Sequence, residues 1–168
     1  AKEVLNYELL REKGTNPEEI EELKAIYDSI RKIEGFEGIN VQEIGIGSTI
    51  YANKPGDGSA REYAASCQRI LGAWANIAKE YATKRYRSNL INWGIIPFLI
   101  EDKSLIGQDD FIFIPNIKSS ILNKNGQIKA YVLGEKIREI TLSIGSLTDK
   151  DVEILVSGSL INYNKNNL

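Results

Sequence analysis

IGIGSTIYANKPGDGSAREYAASCQRILGAWANIA, residues 44–78, decides the fold. Its first third alternates β-branched and small residues. With Val41 before it, Ile44, Ile46, Thr49, Ile50 and Tyr51 predict one bent strand or two short ones, with Gly45 and Gly47 as bulge points. A break follows at 53–59. Ala60, Ala64, Cys67 and Leu71 then recur at helical spacing and place one small apolar face toward a core, with Cys67 as a core residue and Gly72 as the stop. Ala73–Ala78 is apolar enough for a buried strand. Strand, glycine loop, helix and strand in this order make an α/β unit.

The loop is where chemistry concentrates. Gly56-Asp57-Gly58-Ser59-Ala60-Arg61-Glu62 brings a hydroxyl and a guanidinium to the start of a helix. Two glycines permit close approach of the backbone, and helix-end N–H groups favour an anion. Ser59-x-x-Glu62 is also a capping box, which would satisfy the helix end with no substrate at all. A phosphate loop is disfavoured because Gly-Lys-Ser/Thr is missing, and a dinucleotide fingerprint because the third glycine is missing.

Outward from this unit, the alternation continues. Residues 83–93 read as a short helix before Gly94, and Ile95–Ile100 as a strand that Pro97 sends to a sheet edge or strand end. Phe111–Ile114, Ile128–Leu133 and Ile137–Ile144 are further strands. Thr148-Asp149-Lys150-Asp151 starts a helix with Val152, Leu155 and Val156 on its apolar face, and the polar tail from Asn162 frays. Upstream, Asn16-Pro17-Glu18-Glu19 predicts a helix start, and Ile20, Leu23, Ile26, Tyr27, Ile30 and Ile33 carry one apolar face as far as Gly35. A weaker helix fits residues 2–12. Residues 1–40 thus form an appended helical extension, and 41–168 the α/β domain.

The 168 residues contain one cysteine and no histidine. Ser-His and Cys-His nucleophile pairs are therefore excluded, and so are an internal disulfide and a zinc or iron–sulfur site built from this chain alone. Apolar runs fall short of a membrane span, no secretion signal opens the chain, and the cysteine usage suits a reducing cytoplasm. Residues 1–40 carry six Lys/Arg against ten Asp/Glu, whereas 60–90 carry six against two. The segment behind the glycine loop is locally electropositive and favours an anionic ligand.

Gly58-Ser59-Ala60-Arg61-Glu62-Tyr63-Ala64-Ala65 resembles the Gly-Ser-Ser-Arg-Glu-His-Ala-Ala motif of the aconitase family. The likeness continues in Ile77-Ala78-Lys79-Glu80-Tyr81-Ala82, in Arg87–Phe98 and in Gly158–Tyr163, and it covers about residues 44–163. It implies the swivelling β/β/α domain, with a mixed central sheet, that closes the C-terminal end of aconitase-type hydro-lyases. Their substrates are small hydroxy di- or tricarboxylic acids, and their [4Fe-4S] cluster sits on other, cluster-bearing domains. By the same resemblance, Ser59 removes a proton as an alkoxide, and Arg61 holds a substrate carboxylate. Gly58 and Ala60 are expected beside it at the substrate, with basic support from Arg85 or Arg87. The isolated chain is then expected to be inactive. Ala60 stands where the family has a second serine, which changes a substrate contact.

Two other readings accompany this one. The chain would be the stand-alone small subunit of an isopropylmalate-isomerase-like pair, or a non-catalytic anion- or RNA-binding module on the same fold. Arg85, Tyr86 and Arg87 suit single-stranded nucleic acid, but their place in the family-like helix and an acidic isoelectric point weigh against it.

Overall fold

The computed structural model describes residues 7–10, 12–102, 105–108 and 110–167. Residues 7–10 and 12 are helical; the rest of the helix expected over 2–12 lies outside the described residues. The helix expected from Pro17 is in two pieces. Asn16 caps one 3-10 turn, Pro17–Glu19, by accepting the Glu18 N–H at 3.1 Å. Ile20 then turns extended, and α1 runs from Glu21 to Ile30. The break lets Ile20 pack into the same cluster as Leu23, Tyr27 and Ile30.

A 3-10 turn at Val41–Glu43 leads into β1, Ser48–Ala52. A single strand thus forms where a bent or double one was expected. Gly45 and Gly47 precede it beneath the Trp74 indole, and the register shift falls between Ser48 and Thr49. Helix α2 (Arg61–Ile70), strand β2 (Ala73–Ala78), helix α3 (Lys84–Asn92) and strand β3 (Ile96–Leu99) follow. The three strands are parallel in the order β1-β2-β3, with Thr49 opposite Ala75 and Asn76 opposite Pro97. Pro97 is therefore on an outer strand, as its missing N–H requires.

The remainder builds an antiparallel sheet. Strand β4 (Phe111–Phe113), helix α4 (Ile117–Leu122), and strands β5 (Ile128–Leu133) and β6 (Arg138–Leu142) are ordered β4-β5-β6. A bridge between Leu99 and Ser143 joins it to β3. Parallel and antiparallel halves together give the mixed α/β architecture. Helix α5 (Asp149–Val156) starts at a capping box of Thr148 and Asp151 and buries Val152, Ile154 and Leu155. The tail does not fray from Asn162. Ser159 accepts the Asn162 N–H and caps α6, Leu160–Asn166.

Three apolar clusters hold these layers. The largest joins Ile77 and Phe98 of the parallel sheet to Val132, Ile140 and Leu142 of the antiparallel one, under α5. The second fastens α1 to Phe113, Tyr131 and Leu133; Phe36 meets Phe113 edge-to-face at 5.2 Å, a geometry worth ~0.5–1.5 kcal/mol beyond burial. The third, Ala65, Ala73, Tyr86, Leu90 and Ile95, seats α2 and α3 on β2. It lies directly behind the glycine loop.

Candidate active site

The loop between β1 and α2 emerges at the carboxyl end of the parallel sheet, where open α/β sheets present ligand sites. It is laced to the segment after β2. Glu80 N–H donates to Asn53 O at 3.1 Å and Ala82 N–H to Pro55 O at 2.9 Å. Gly56 has φ +97°, a left-handed value that excludes most side chains, and its α-carbon lies against the ring of Tyr86. Its carbonyl accepts from Arg61 Nε at 3.1 Å and from Thr83 Oγ1 at 3.3 Å.

The capping box proposed for Ser59 and Glu62 does not form. The N-cap of α2 is Ala60, and no side chain caps the helix. Glu62 is recruited elsewhere: its Oε1 accepts the Trp93 indole N–H at 2.6 Å. Ser59 is exposed, one residue before a helix end whose first N–H groups have no capping side chain.

Arg61 is oriented by its own loop. Nε donates to Gly56 O, and Nη2 to Asp57 O at 3.4 Å. These bonds use the side edge of the guanidinium. The end edge, Nη1 with the second proton of Nη2, is left for a planar oxyanion.

Gly58, Ala60 and Arg61 come together as lining of a recess of about 180 Å³, with Gly56, Ala64 and Tyr86. Ser59 stands beside it, between two lining residues. Arg85 and Arg87 are not in its wall. Arg85 is exposed on α3, and Arg87 Nη2 donates at 2.9 Å to both Ile144 O and Ser146 O, tying α3 to the loop after β6. Tyr86, only 2% exposed, turns inward and offers no stacking face to a nucleic acid. Thr83 and Tyr86 are the supports that sequence reasoning missed. Thr83 had a readable signal as the cap of α3, where its Oγ1 accepts the Tyr86 N–H.

Cys67 is not a core residue. The face of α2 carrying Ala60, Ala64, Cys67 and Leu71 points outward, with Tyr63 73%, Ile70 70% and Leu71 53% exposed. The helix instead seats itself through Ala65, through Gln68 on the Tyr86 hydroxyl at 2.8 Å, and through Arg69 on Ala73 O at 3.2 Å. Burial lowers the pKa of Arg69.

A second, larger recess of about 480 Å³ opens at the same end of the sheet between Asn53, Lys54, Lys79, Glu80, Glu101 and Asp102. Its walls mix both charge signs, and Lys54 pairs with Glu80 at 3.1 Å. The smaller recess has the chemistry of an anion site; the larger one has not.

The family model described as the aconitase C-terminal domain matches residues 15–103, more than half of the chain. The chain belongs to this family. The matched span takes in α1 as well as the glycine loop and the three parallel strands. Among similar proteins, aconitate hydratase A of Rickettsia bellii is 27% identical over 140 residues, 74% of this chain and 15% of that protein. The homoaconitase small subunit of Thermus thermophilus is 45% identical over 53 residues, 32% of each chain. The matches thus span less than a third of either relative's length. A crystal structure of 3-isopropylmalate dehydratase from Methanocaldococcus jannaschii superposes with a TM-score of 0.57 at 25% identity, over 84% of this chain and 86% of that one. No described helix of this aconitase C-terminal domain is long and apolar enough to cross a membrane.

Proposed function

We propose that this aconitase C-terminal domain is the swivelling part of a hydro-lyase acting on a hydroxy di- or tricarboxylic acid. Dehydration of such an acid removes a proton from one carbon and a hydroxyl from its neighbour. Ser59, as alkoxide, accepts the proton; the uncapped N-terminus of α2 supplies N–H donors and a positive dipole end that favour the ionised oxygen. With no histidine in the chain, this electrostatic route replaces an imidazole base. Arg61 clamps a substrate carboxylate through its free end edge. The observation that carries the reading is that Ser59 does not cap its helix and Arg61 is held with that edge open.

This chain does not fit the [4Fe-4S] cluster of the family. It has one cysteine and no histidine, and among the described residues no group of three or more His, Cys, Asp or Glu could hold a metal. The cluster accordingly belongs, in this reading, to cluster-bearing aconitase domains, on the same parent chain or on a large subunit. Those domains cover the outward face of α2 that carries Ala64, Cys67 and Leu71 and starts at the site loop. The test is turnover of a hydroxy acid by the chain combined with those cluster-bearing domains. Ser59→Ala lowers kcat by several orders of magnitude, the scale on which loss of a general base and its oxyanion is felt, ~10²–10⁴-fold or more. Full activity of that variant refutes the role of Ser59.

A second arrangement, an independent small subunit, draws on the homoaconitase small subunit and on the 86% coverage of the isopropylmalate dehydratase chain. Co-purification with a separate large subunit supports it, and an open reading frame continuous with cluster-bearing domains rejects it.

A further inference from the structure

Whatever fixes the Gly56 carbonyl fixes the side edge of Arg61, because Arg61 Nε donates to that oxygen. Gly56 rests on Tyr86 so closely that a Cβ added there would come within 2.4 Å of Cγ and Cδ1 of the ring. The Tyr86 hydroxyl is held in turn by two amides, Gln68 Nε2 at 2.8 Å and Asn76 Nδ2 at 3.1 Å. Gln68 lies on α2, the helix that Arg61 opens, and Asn76 is wholly buried in β2. One phenol oxygen thus ties the helix, the central strand and α3 together beneath the loop.

The proton inventory makes this junction specific. A phenol donates once and accepts twice. With both amides donating, its proton has no acceptor, and Gln68 Oε1 and Asn76 Oδ1 are both buried without a partner. Turning either amide through half a circle gives the phenol proton an oxygen and leaves the other amide donating, so the hydroxyl is bonded in both directions. A ring anchored in this way cannot slide out from under Gly56.

We infer that Tyr86 is a positioning residue of the candidate site, anchored by Gln68 and Asn76, which holds the Gly56 carbonyl where it aligns the Arg61 guanidinium. Its functional weight rests on the reading of Arg61 as a carboxylate clamp; the positioning itself does not. Thr83 acts on the same carbonyl from the cap of α3.

The test is solvent exchange of the Arg61 side-chain Nε–H, followed by nitrogen-15 NMR in the full chain, with Tyr86→Phe, Gln68→Met and Tyr81→Phe compared with the unaltered protein. Tyr86→Phe accelerates Arg61 exchange on the order of tenfold, the consequence of freeing a buried hydrogen-bonded junction. Gln68→Met accelerates it by a smaller factor. Tyr81 is the control. Its hydroxyl shares its one proton between the carbonyls of Asn76 and Phe98, at 3.2 and 3.0 Å, so Tyr81→Phe lowers the unfolding midpoint without accelerating Arg61. Unchanged exchange in Tyr86→Phe, or equal acceleration in Tyr81→Phe, overturns the inference. Should Tyr86→Phe not fold, Gln68→Met decides, and a rate equal to the unaltered protein's overturns it. The measurement involves no turnover, so its failure is distinct from a failure of the Ser59→Ala test.

Discussion

Gly56→Ala should destabilise the protein severely, whereas Gly58→Ala, two residues away in the same loop, should not. At Gly56 the backbone has φ +97°, which costs an L-residue ~1–2 kcal/mol. The new methyl also meets Tyr86 at 2.4–2.6 Å, well inside van der Waals contact. The ring is pinned at its hydroxyl, so the collision is relieved only by moving the loop, an overpacking cost of ~1–3 kcal/mol. Together these give ~2–5 kcal/mol, a large part of the ~5–15 kcal/mol by which domains are stable. A Cβ at Gly58 meets nothing within 4 Å and φ there is not positive, so its substitution stays within ~0.5 kcal/mol. Guanidinium unfolding reads both from the midpoint at constant slope. A Gly56→Ala midpoint no lower than that of Gly58→Ala would refute the claim that Tyr86 dictates the glycine.

Thr148→Ala removes the hydroxyl that accepts the Asp151 N–H at 3.1 Å, and ~1 kcal/mol of stability should go with it in the same unfolding assay. Arg87→Ala strips the carbonyls of Ile144 and Ser146 of a charged donor. It should lower the melting temperature by the equivalent of ~1.5–3 kcal/mol, and a raised KM without loss of stability would instead put Arg87 at the substrate. Burial raises the pKa of the Tyr81 phenol, with Tyr86 adding to the shift and Arg87 opposing it. The unfolded chain therefore loses this proton first, near pH 10, while the folded chain keeps it. The stabilisation is intact below ~pH 10 and falls above it by up to ~1.4 kcal/mol per pH unit. Melting curves between pH 9 and 11 should fall less steeply for Tyr81→Phe, and parallel slopes would contradict the assignment.

The helix starts at Asn16, Thr83 and Thr148 were legible because cap and partner are neighbours in sequence, each accepting from an N–H two or three residues on. Ser159 accepts from an N–H three residues on in the same way, yet the polar tail behind it masked the helix it starts. Ser59-x-x-Glu62 carries the same local pattern, yet the N-cap falls one residue later, on Ala60, and the Glu62 carboxylate is taken by Trp93, 31 positions away. Periodicity likewise marked one apolar face on α2 without revealing which way it points. That choice is made by Tyr86 and β2, which offer hydrogen-bond partners to Gln68 and Arg69 and so draw the polar face inward. Helix α4 escaped notice because it is short and its cap, Asn116, uses a left-handed backbone in place of a side-chain bond. In the site itself, Arg61 and its glycines were readable from the motif. Tyr86 was visible only as part of a basic-aromatic cluster, and its inward direction required the tertiary fold.

The outward turn of α2 also governs how the purified protein behaves at the bench. Its single thiol sits on an apolar ridge with no second cysteine in the chain to pair with. Air oxidation accordingly joins two molecules and never closes a loop within one. A maleimide dye at Cys67 would therefore label one defined spot, and protection from labelling would report whatever comes to rest against that ridge.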